Sequence, residues 1–236
     1  MKIAILGYGK MGHEIEAIAN ERGHDITIRS CTHKPFRPED LSGSDVAIEF
    51  SQPDAAVNNI LKCFDANCPI VVGTTGWYMR LPEVRTEALN RKQAILYSTN
   101  FSIGVNVLFH INRELARVMD ALNEYEPAIH EIHHIHKLDK PSGTAITLAE
   151  GLMENFSRKK KWMNNASVNA DELAVTSERT DAVPGTHVVT YDSPVDTLSI
   201  RHEAKNRKGF ALGAVKAAEW LKGRTGVFSM NDFLKF

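Results

Sequence analysis

The chain has 236 residues, of which 43% are hydrophobic and 24% are charged, a composition that is ordinary for a globular protein. This length allows one large domain or two smaller ones. The formal net charge of −1 gives no electrostatic reason to expect a nucleic acid or a membrane surface as a partner.

The cysteines and the N-terminal residues indicate the cellular compartment. Cys31, Cys63 and Cys68 are an odd number without metal-ligand spacing, which favours free thiols in a reducing compartment. The run Met1–Gly7 leads into a glycine turn and lacks the longer apolar stretch and cleavage site of a signal peptide. No run reaches the roughly 18 apolar residues that span a bilayer. We therefore expect a soluble cytoplasmic protein.

The first hundred residues alternate strand and helix patterns. The predicted strands are Lys2–Leu6, Asp25–Ile28, Asp45–Phe50, Pro69–Val72 and Ala94–Tyr97. The predicted helices are Met11–Arg22, Pro53–Asp65 and Leu81–Arg91. Because strands that alternate with helices form parallel sheets, this half of the chain is predicted to be an α/β, doubly wound parallel sheet.

The pattern changes after Asn100. Helices are predicted at Val105–Leu122, Ser142–Phe156 and Gly213–Leu221, and strands at Pro127–His136, His187–Tyr191 and Thr197–His202. The basic run Arg158–Lys161 is expected to be a solvated surface loop. Long strands with helices between them fit an α+β domain built on one open sheet.

A glycine-rich turn, Gly7-Tyr8-Gly9-Lys10-Met11-Gly12, follows the first predicted strand and opens the first helix. Glycines at this spacing let the backbone turn tightly and let a pyrophosphate approach the amide groups at the helix N-terminus. The hexapeptide is a weak signal alone, and a plain strand–turn–helix is the alternative. Its position between a strand and a helix favours a dinucleotide site.

The acidic residue expected about 20 residues further on, to hold the adenine ribose, is missing. The second strand ends instead in Ile28-Arg29-Ser30-Cys31. Arg29, with Ser30, Thr32 or Lys34, is suited to a 2′-phosphate, which favours NADPH over NADH. The alternative is that Arg29 is a solvated charge.

Two further polar segments follow predicted strands. They are Gly73-Thr74-Thr75-Gly76 and Ser98-Thr99-Asn100-Phe101-Ser102. Carboxyl ends of the strands line the ligand crevice of a doubly wound sheet, so together with Gly7 these segments predict one cofactor edge. Turn chemistry alone is the other interpretation.

The segment from His130 to His134 matches HExxH, a zinc-protease signature that works only on a helix. Pro127 precedes this segment, and isoleucines occur in and beside it, which favours a strand. On a strand, His130 and His134 would be about 13 Å apart, too far to share one zinc ion. We therefore predict no metal site.

The same segment predicts a cationic substrate site. Strand alternation places His133 on one face and His134 and His136 on the other, with Lys137 at the strand end. The residues Ser142, Gly143 and Thr144 open the next helix, whose N-terminus attracts a carboxylate. This arrangement suits a small dicarboxylate that undergoes hydride addition and proton transfer. An exposed polar strand followed by a capped helix is the alternative.

These residues resemble the 4-hydroxy-tetrahydrodipicolinate (dihydrodipicolinate) reductase family. The family signature appears as Glu131-x-His133-His134-x-x-Lys137-x-Asp139-x-Pro141-Ser142-Gly143-Thr144-Ala145. Supporting segments are the Gly7 turn, Gly73–Gly76, Asn100–Asn106, Gly185-Thr186-His187 and Phe210–Val215. The resemblance covers nearly the whole chain.

The resemblance implies an oxidoreductase of lysine and diaminopimelate biosynthesis that transfers a hydride from NADPH or NADH to a conjugated cyclic imine, giving tetrahydrodipicolinate. It implies that His133 is the catalytic proton donor or acceptor and that Lys137 is a second donor. It implies substrate ligands at His134, Ser142, Gly143, Thr144 and, by a weaker match, Lys216. The implied cofactor ligands are Gly7, Tyr8, Gly9, Lys10, Met11, Gly12, Gly73, Thr74, Thr75, Ser98, Thr99, Asn100 and Phe101.

The resemblance also implies the domain plan. A Rossmann-type cofactor domain comprises residues 1–102 and 213–236, and the inserted α+β domain, residues 103–212, carries an open mixed sheet that binds substrate and assembles homotetramers. Two alternatives remain open. Another Rossmann reductase would explain the glycine turn but not the helix start beside His133 and Lys137, and a nucleotide-sensing module would need no proton donor.

Overall fold

The computed structural model describes residues 1–166, 169–206 and 208–236 of the chain. The chain divides into two compact units. The first comprises Met1–Ile103 and Lys208–Phe236, and the second comprises Gly104–Arg207. Each unit has its own sheet. Among the described residues, no helix combines the length and the apolar character that crossing a bilayer requires.

Strands and helices occur in both units. The strands are β1 (Lys2–Leu6), β2 (Asp25–Ser30), β3 (Val46–Glu49), β4 (Ile70–Val72), β5 (Ala94–Tyr97), β6 (Glu126–His133), β7 (Lys161–Met163), β8 (Glu172–Arg179), β9 (Thr186–Asp192), β10 (Thr197–Glu203) and β11 (Gly226–Phe228). The α-helices are α1 (Lys10–Glu21), α2 (Pro53–Asp65), α3 (Leu81–Asn90), α4 (Ile103–Met119), α5 (Gly143–Met153), α6 (Lys208–Leu221) and α7 (Met230–Leu234). Short 3-10 helices lie at Pro38–Leu41 and Tyr78–Arg80.

The first unit is built on a six-stranded sheet in the order β11-β5-β4-β3-β1-β2, in which every neighbouring pair is parallel. Successive side chains of β1 enter two different cores. Ile3 and Ile5 pack with residues of α1 and α6, and Ala4 and Leu6 pack with residues of α2 and α3. Helices therefore cover both faces, which confirms the predicted doubly wound parallel sheet.

The second unit has a five-stranded sheet in the order β10-β9-β6-β8-β7. The central strand β6 is parallel to β8 and antiparallel to β9, so the predicted open mixed sheet is confirmed. One face packs against α4 and α5 through Ile129, Val175 and Val189. This packing holds β6, and the polar side chains along it, in the middle of the unit.

Several predicted element bounds differ from those in the structure, and two of the differences concern elements that carry proposed site residues. The strand predicted to reach His136 ends at His133, because β8 stops at Arg179 and leaves β6 without a partner strand. The backbone then turns, and the Lys137 amide donates to the His134 carbonyl at 3.1 Å. The helix predicted to begin at Gly213 begins at Lys208.

The prediction that Arg158–Lys161 is a solvated loop was wrong for Lys159, which is buried, whereas Lys160 is exposed and outside any strand. Lys159 is 2% exposed, and its ammonium contacts Glu126 and donates to the Ala170 carbonyl at 2.9 Å. These partners compensate the buried charge. Lys161 begins β7, which with β8, β11 and α7 was not predicted.

Candidate active site

The turn from β1 into α1 can be made only with glycine at its first position. Gly7 has φ of +101°, and a β-carbon there would lie 2.1 Å from the Phe50 carbonyl oxygen. A β-carbon on Gly9 would meet nothing within 4 Å, so the backbone is open on that side. The first turn of α1, from Lys10, therefore lies beside open space, as an N-terminal anion site requires.

Two pockets open at this turn, with volumes of about 410 and 450 Å³, and they share Gly9 and the segment 50–52. The predicted cofactor residues that line one or both are Gly7, Tyr8, Gly9, Lys10, Met11, Gly73, Thr74 and Thr75. Four further residues that line these pockets were not predicted, namely Phe50, Ser51, Gln52 and Pro53. The sequence could have predicted these residues, because they lie at the carboxyl end of β3, and the carboxyl ends of parallel strands line the ligand crevice.

The loop after β5 lines neither pocket but is tied to their wall. The Phe101 ring, 2% exposed, lies 5.8 Å from the Phe50 ring between centroids. The Ser98 hydroxyl donates to the Asn100 carbonyl at 2.8 Å, and Thr99 is exposed. Gly12, the last predicted residue of the turn, is buried and lines neither pocket.

Arg29 is paired with an acidic residue, Glu16, that was not predicted as its partner. Its guanidinium forms an ion pair with Glu16 of α1, and the Tyr8 hydroxyl donates to the same carboxylate. The hydrogen bond from Arg29, followed by that from Tyr8, lowers the pKa of Glu16 to about 2. Arg29 lines a separate pocket of about 280 Å³ that shares Pro35 and Phe36 with the pocket beside Gly7.

A fully buried carboxylate, Glu49, lies at the end of β3 behind the cofactor edge. Its Oε1 accepts hydrogen bonds from the Ser51 amide at 3.2 Å and from the Ser51 hydroxyl and Asn59. Burial raises the pKa of this carboxyl, and the hydrogen bonds from Ser51, Thr74 and Asn59 only partly oppose that rise. Glu49 thus links the loops that follow β3 and β4.

In the second unit, β6 carries the histidine segment to the start of α5. Ser142 is the N-cap of α5, and its hydroxyl accepts from the Ala145 amide at 3.2 Å. Gly143 and Thr144 form the first turn, and a β-carbon on Gly143 would meet nothing within 4 Å. The helix N-terminus is therefore open at Gly143, where a carboxylate can approach the backbone.

Glu131 lies at the centre of the histidine segment, with no exposed surface. The Ser142 amide donates to its two oxygens at 3.0 and 3.1 Å, and the Arg179 guanidinium donates to Oε1 at 3.1 Å. Its Oε2 lies 3.3 Å from Nδ1 of His133 and 3.7 Å from Nε2 of His187. Arg179 and His187 were not predicted as site residues. His187 was part of a family segment, whereas Arg179 belongs to no motif.

The electrostatics of this cluster keep the carboxylate charged. Burial raises the pKa of Glu131, but the neighbouring His133 and His187 rings and the Ser142 hydrogen bonds outweigh it and hold the pKa well below its usual range. Burial lowers the pKa of His187, which favours its neutral form. The described part of the chain contains one group of three side chains that could together hold a metal ion. Its members are Glu131, His133 and His187, whose ligand atoms lie within 4.8 Å of one another. The Arg179 cation on the same carboxylate opposes a second cation there.

The loop between β6 and α5 carries Lys137. Its ammonium lies 2.8 Å from the Asp139 carboxylate. Arg179 holds the loop from the other side, because its guanidinium donates to the carbonyls of Lys137 at 3.3 Å and Asp139 at 2.6 Å. His134 and His136 lie beyond the end of β6, so the predicted alternation of these histidines across a strand does not exist.

The last predicted substrate ligand lies in the other unit. Lys216 is half-buried on α6, which packs against the parallel sheet of the first unit. The motif from His130 to His134 does not form a zinc-protease helix. His130 lies on β6 and contacts Thr176, and His134 lies after the strand.

A doubly wound parallel sheet with a glycine-rich first turn, followed in the chain by a unit with a buried histidine–carboxylate cluster, defines a pyridine-nucleotide-dependent reductase. Residues 1–101 match the family described as "Dihydrodipicolinate reductase, N-terminus", and residues 104–234 match "Dihydrodipicolinate reductase, C-terminus". The chain belongs to the dihydrodipicolinate reductase family.

Individual relatives agree with this family. The chain is 47% identical to a 4-hydroxy-tetrahydrodipicolinate reductase of Christiangramia forsetii, over 99% of this chain and 98% of the relative. It is 34% identical to one of Neisseria gonorrhoeae, over 82% of this chain and 74% of the relative. A dipicolinate-bound dihydrodipicolinate reductase from Paenisporosarcina shares the fold, with a TM-score of 0.77, 21% identity and 97% of each chain covered.

Proposed function

We propose that this chain reduces the cyclic imine 4-hydroxy-tetrahydrodipicolinate (dihydrodipicolinate) to tetrahydrodipicolinate with NADPH or NADH, in lysine and diaminopimelate biosynthesis. One observation carries the proposal. A single segment, residues 131–145, presents an imidazole held beside a buried carboxylate, an ammonium, and a helix N-terminus with open backbone. The relative named for this reaction matches the chain over nearly its whole length.

The substrate half of the reaction is assigned to this segment. The helix start at Gly143 and Thr144, with the Ser142 cap and His134, binds a carboxylate of the substrate. His133 transfers a proton to or from the substrate, and Lys137 is a second proton donor. Lys216 of α6 binds the substrate through its ammonium. These roles come from the family signature and from the chemistry of the side chains.

The cofactor half is assigned to the first unit. When bound, the nicotinamide supplies the hydride that reduces the imine. The turn from Gly7 to Gly12 holds the pyrophosphate, and segments 73–75 and 98–101 line the rest of the cofactor edge. Arg29, with Ser30 and Thr32 of the pocket wall beside Gly7, favours the 2′-phosphate of NADPH. The Glu16 carboxylate competes for Arg29 and moderates that preference.

The mixed sheet of the second unit is the proposed assembly surface of a homotetramer. One face of the sheet packs on α4 and α5. On the other face, the side chains of His130 and Ile132 of β6 are half-exposed. Light scattering on the purified protein tests this assignment, and a monomer at micromolar concentration contradicts it.

The proposed location is the cytoplasm, where cysteines stay reduced. Cys31, Cys63 and Cys68 are free thiols in the structure, as that compartment requires. The proposed partners are a small dicarboxylate and copies of the chain, and neither a nucleic acid nor a membrane.

A turnover assay tests the function. We expect oxidation of NADPH or NADH that depends on freshly generated pathway substrate, because the imine is the hydride acceptor. Omitting the substrate is the control. Cofactor binding without substrate-dependent oxidation contradicts a reductase and supports a nucleotide-sensing module.

A further inference from the structure

Glu131 has the geometry of a residue that controls a neighbouring histidine. It lies in the middle of β6, with Ser177 of β8 opposite on one side and His187 of β9 on the other. Its carboxylate is fully buried, so water does not compete for its oxygens. The Ser142 amide and the Arg179 guanidinium hold it in place.

Nδ1 of His133 is buried, lies 3.3 Å from this carboxylate, and makes no hydrogen bond of ordinary geometry with any described residue. The ring is also packed edge-to-face against His187, with centroids 5.0 Å apart. A charged carboxylate accepts hydrogen bonds and donates none. The nitrogen that faces it is therefore stabilised when it carries a proton.

We propose that Glu131 is a positioning residue, which holds the neutral His133 ring in its Nδ1–H tautomer and so leaves Nε2 as the nitrogen that exchanges a proton with the substrate. As a base, the neutral ring accepts a proton at Nε2. As a donor it acts from the doubly protonated form: the Nε2–H bond breaks, the proton passes to the substrate, and the neutral ring that remains keeps its proton on Nδ1, facing the Glu131 carboxylate. The tautomer follows from the structure alone, whereas its catalytic use rests on the proposed reductase function.

The tautomer is measured directly in the full-length protein by nitrogen-15 NMR of labelled histidine, at about pH 8.5, above the usual histidine pKa. The loss of one signal in His133→Gln assigns the residue. We expect His133 to carry its proton on Nδ1. An Nε2–H tautomer in the unaltered protein overturns the proposal without any change at Glu131.

The variant Glu131→Gln tests the cause. In this variant, the amide oxygen takes the place of Oε1 and accepts hydrogen bonds from Arg179 and Ser142. The NH2 group then takes the place of Oε2, faces His133 and donates to Nδ1. We expect the ring to change to the Nε2–H tautomer and kcat to fall about 100-fold, with substrate KM within about threefold. If Glu131 had only a structural role, Glu131→Gln would lower the thermal stability of the protein and leave His133 in the Nδ1–H tautomer.

Glu172→Gln is the matched control, because Glu172 is also a nearly buried glutamate of the mixed sheet but pairs with Lys161. We expect it to leave the tautomer and kcat unchanged. If Glu131→Gln keeps the Nδ1–H tautomer or the original kcat, the proposal is overturned. If the unaltered protein has no reductase activity, the proposed function fails, and the tautomers of the two proteins still decide the role of Glu131.

Discussion

The backbone of Phe101 passes so close to Gly213 that a β-carbon on the glycine would lie 1.7 Å from the Phe101 carbonyl oxygen. This contact joins the loop after β5 to α6, a helix from the far end of the chain. Both residues belong to the first unit and are buried, and Phe101 is part of the core that also contains residues of α1. The position of the proposed cofactor loop therefore depends on a C-terminal glycine.

Gly213→Ala is expected to destabilise the protein by about 1–3 kcal/mol. The new methyl group would overlap the Phe101 backbone, which cannot move aside by rotating a side chain. Urea unfolding measures the change. Gly209→Ala in the same helix is the control, since a β-carbon there comes no closer than 3.9 Å to the Ser102 hydroxyl. We expect it to alter stability by less than about 1 kcal/mol. Equal effects of the two variants contradict the close-contact explanation.

His133→Gln is expected to lower kcat by about 10²–10⁴-fold and to leave cofactor binding intact, because it removes only proton transfer. Steady-state kinetics and a fluorescence titration with NADPH measure the two effects. His130→Gln is the control on the same strand, where His130 contacts Thr176 and lies off the Glu131 cluster. An unaltered kcat in His133→Gln would remove His133 from the mechanism.

Lys137→Ala is expected to lower kcat and to raise the substrate KM, each by at least about tenfold, because the ammonium is proposed both to donate a proton and to attract a carboxylate. Initial rates over a range of substrate concentrations separate the two effects. Lys140→Ala removes an exposed lysine of the same loop and is expected to change neither constant. A variant at Lys137 with normal kcat and KM excludes the role.

Arg29→Ala is expected to weaken NADPH binding about tenfold and to change NADH binding little, because only NADPH carries the 2′-phosphate. Glu16→Gln is expected to strengthen NADPH binding, because it removes the carboxylate that pairs with the Arg29 guanidinium. Equilibrium titrations with both cofactors measure the four affinities. Equal losses for NADPH and NADH in Arg29→Ala contradict the assignment.

Glu49→Gln is expected to stabilise the protein increasingly as the pH rises. Burial raises the pKa of Glu49 in the folded state, so the folded chain binds more protons than the unfolded chain between the two pKa values. Stability is therefore lost as the pH rises from about 4.3, the usual glutamate value, through the folded pKa. Unfolding of both proteins at several pH values measures this, and a difference independent of pH contradicts it.

The parallel sheet was largely predictable because its evidence is local. Strands such as Lys2–Leu6 are buried on both faces and appear as short apolar runs, and α2 was predicted with the bounds it has. Strand β8 was missed because the sequence Glu172–Arg179 mixes polar and apolar residues without strict alternation. It is a strand because it pairs with β6, more than 40 residues earlier.

The order of the residues was sufficient to predict the glycine turn, the alternation of strands with helices, and the histidine–lysine segment that carries the family signature. These features depend on backbone sterics and on spacings of a few residues. Only the tertiary structure decided that Glu16 engages Arg29, that Lys159 is buried, and that Arg179 and His187 meet at Glu131. Such contacts join residues far apart in the chain. At the buried groups Lys159 and Glu131, the contacts form because burying a charge is unfavourable unless a partner from elsewhere in the chain compensates it.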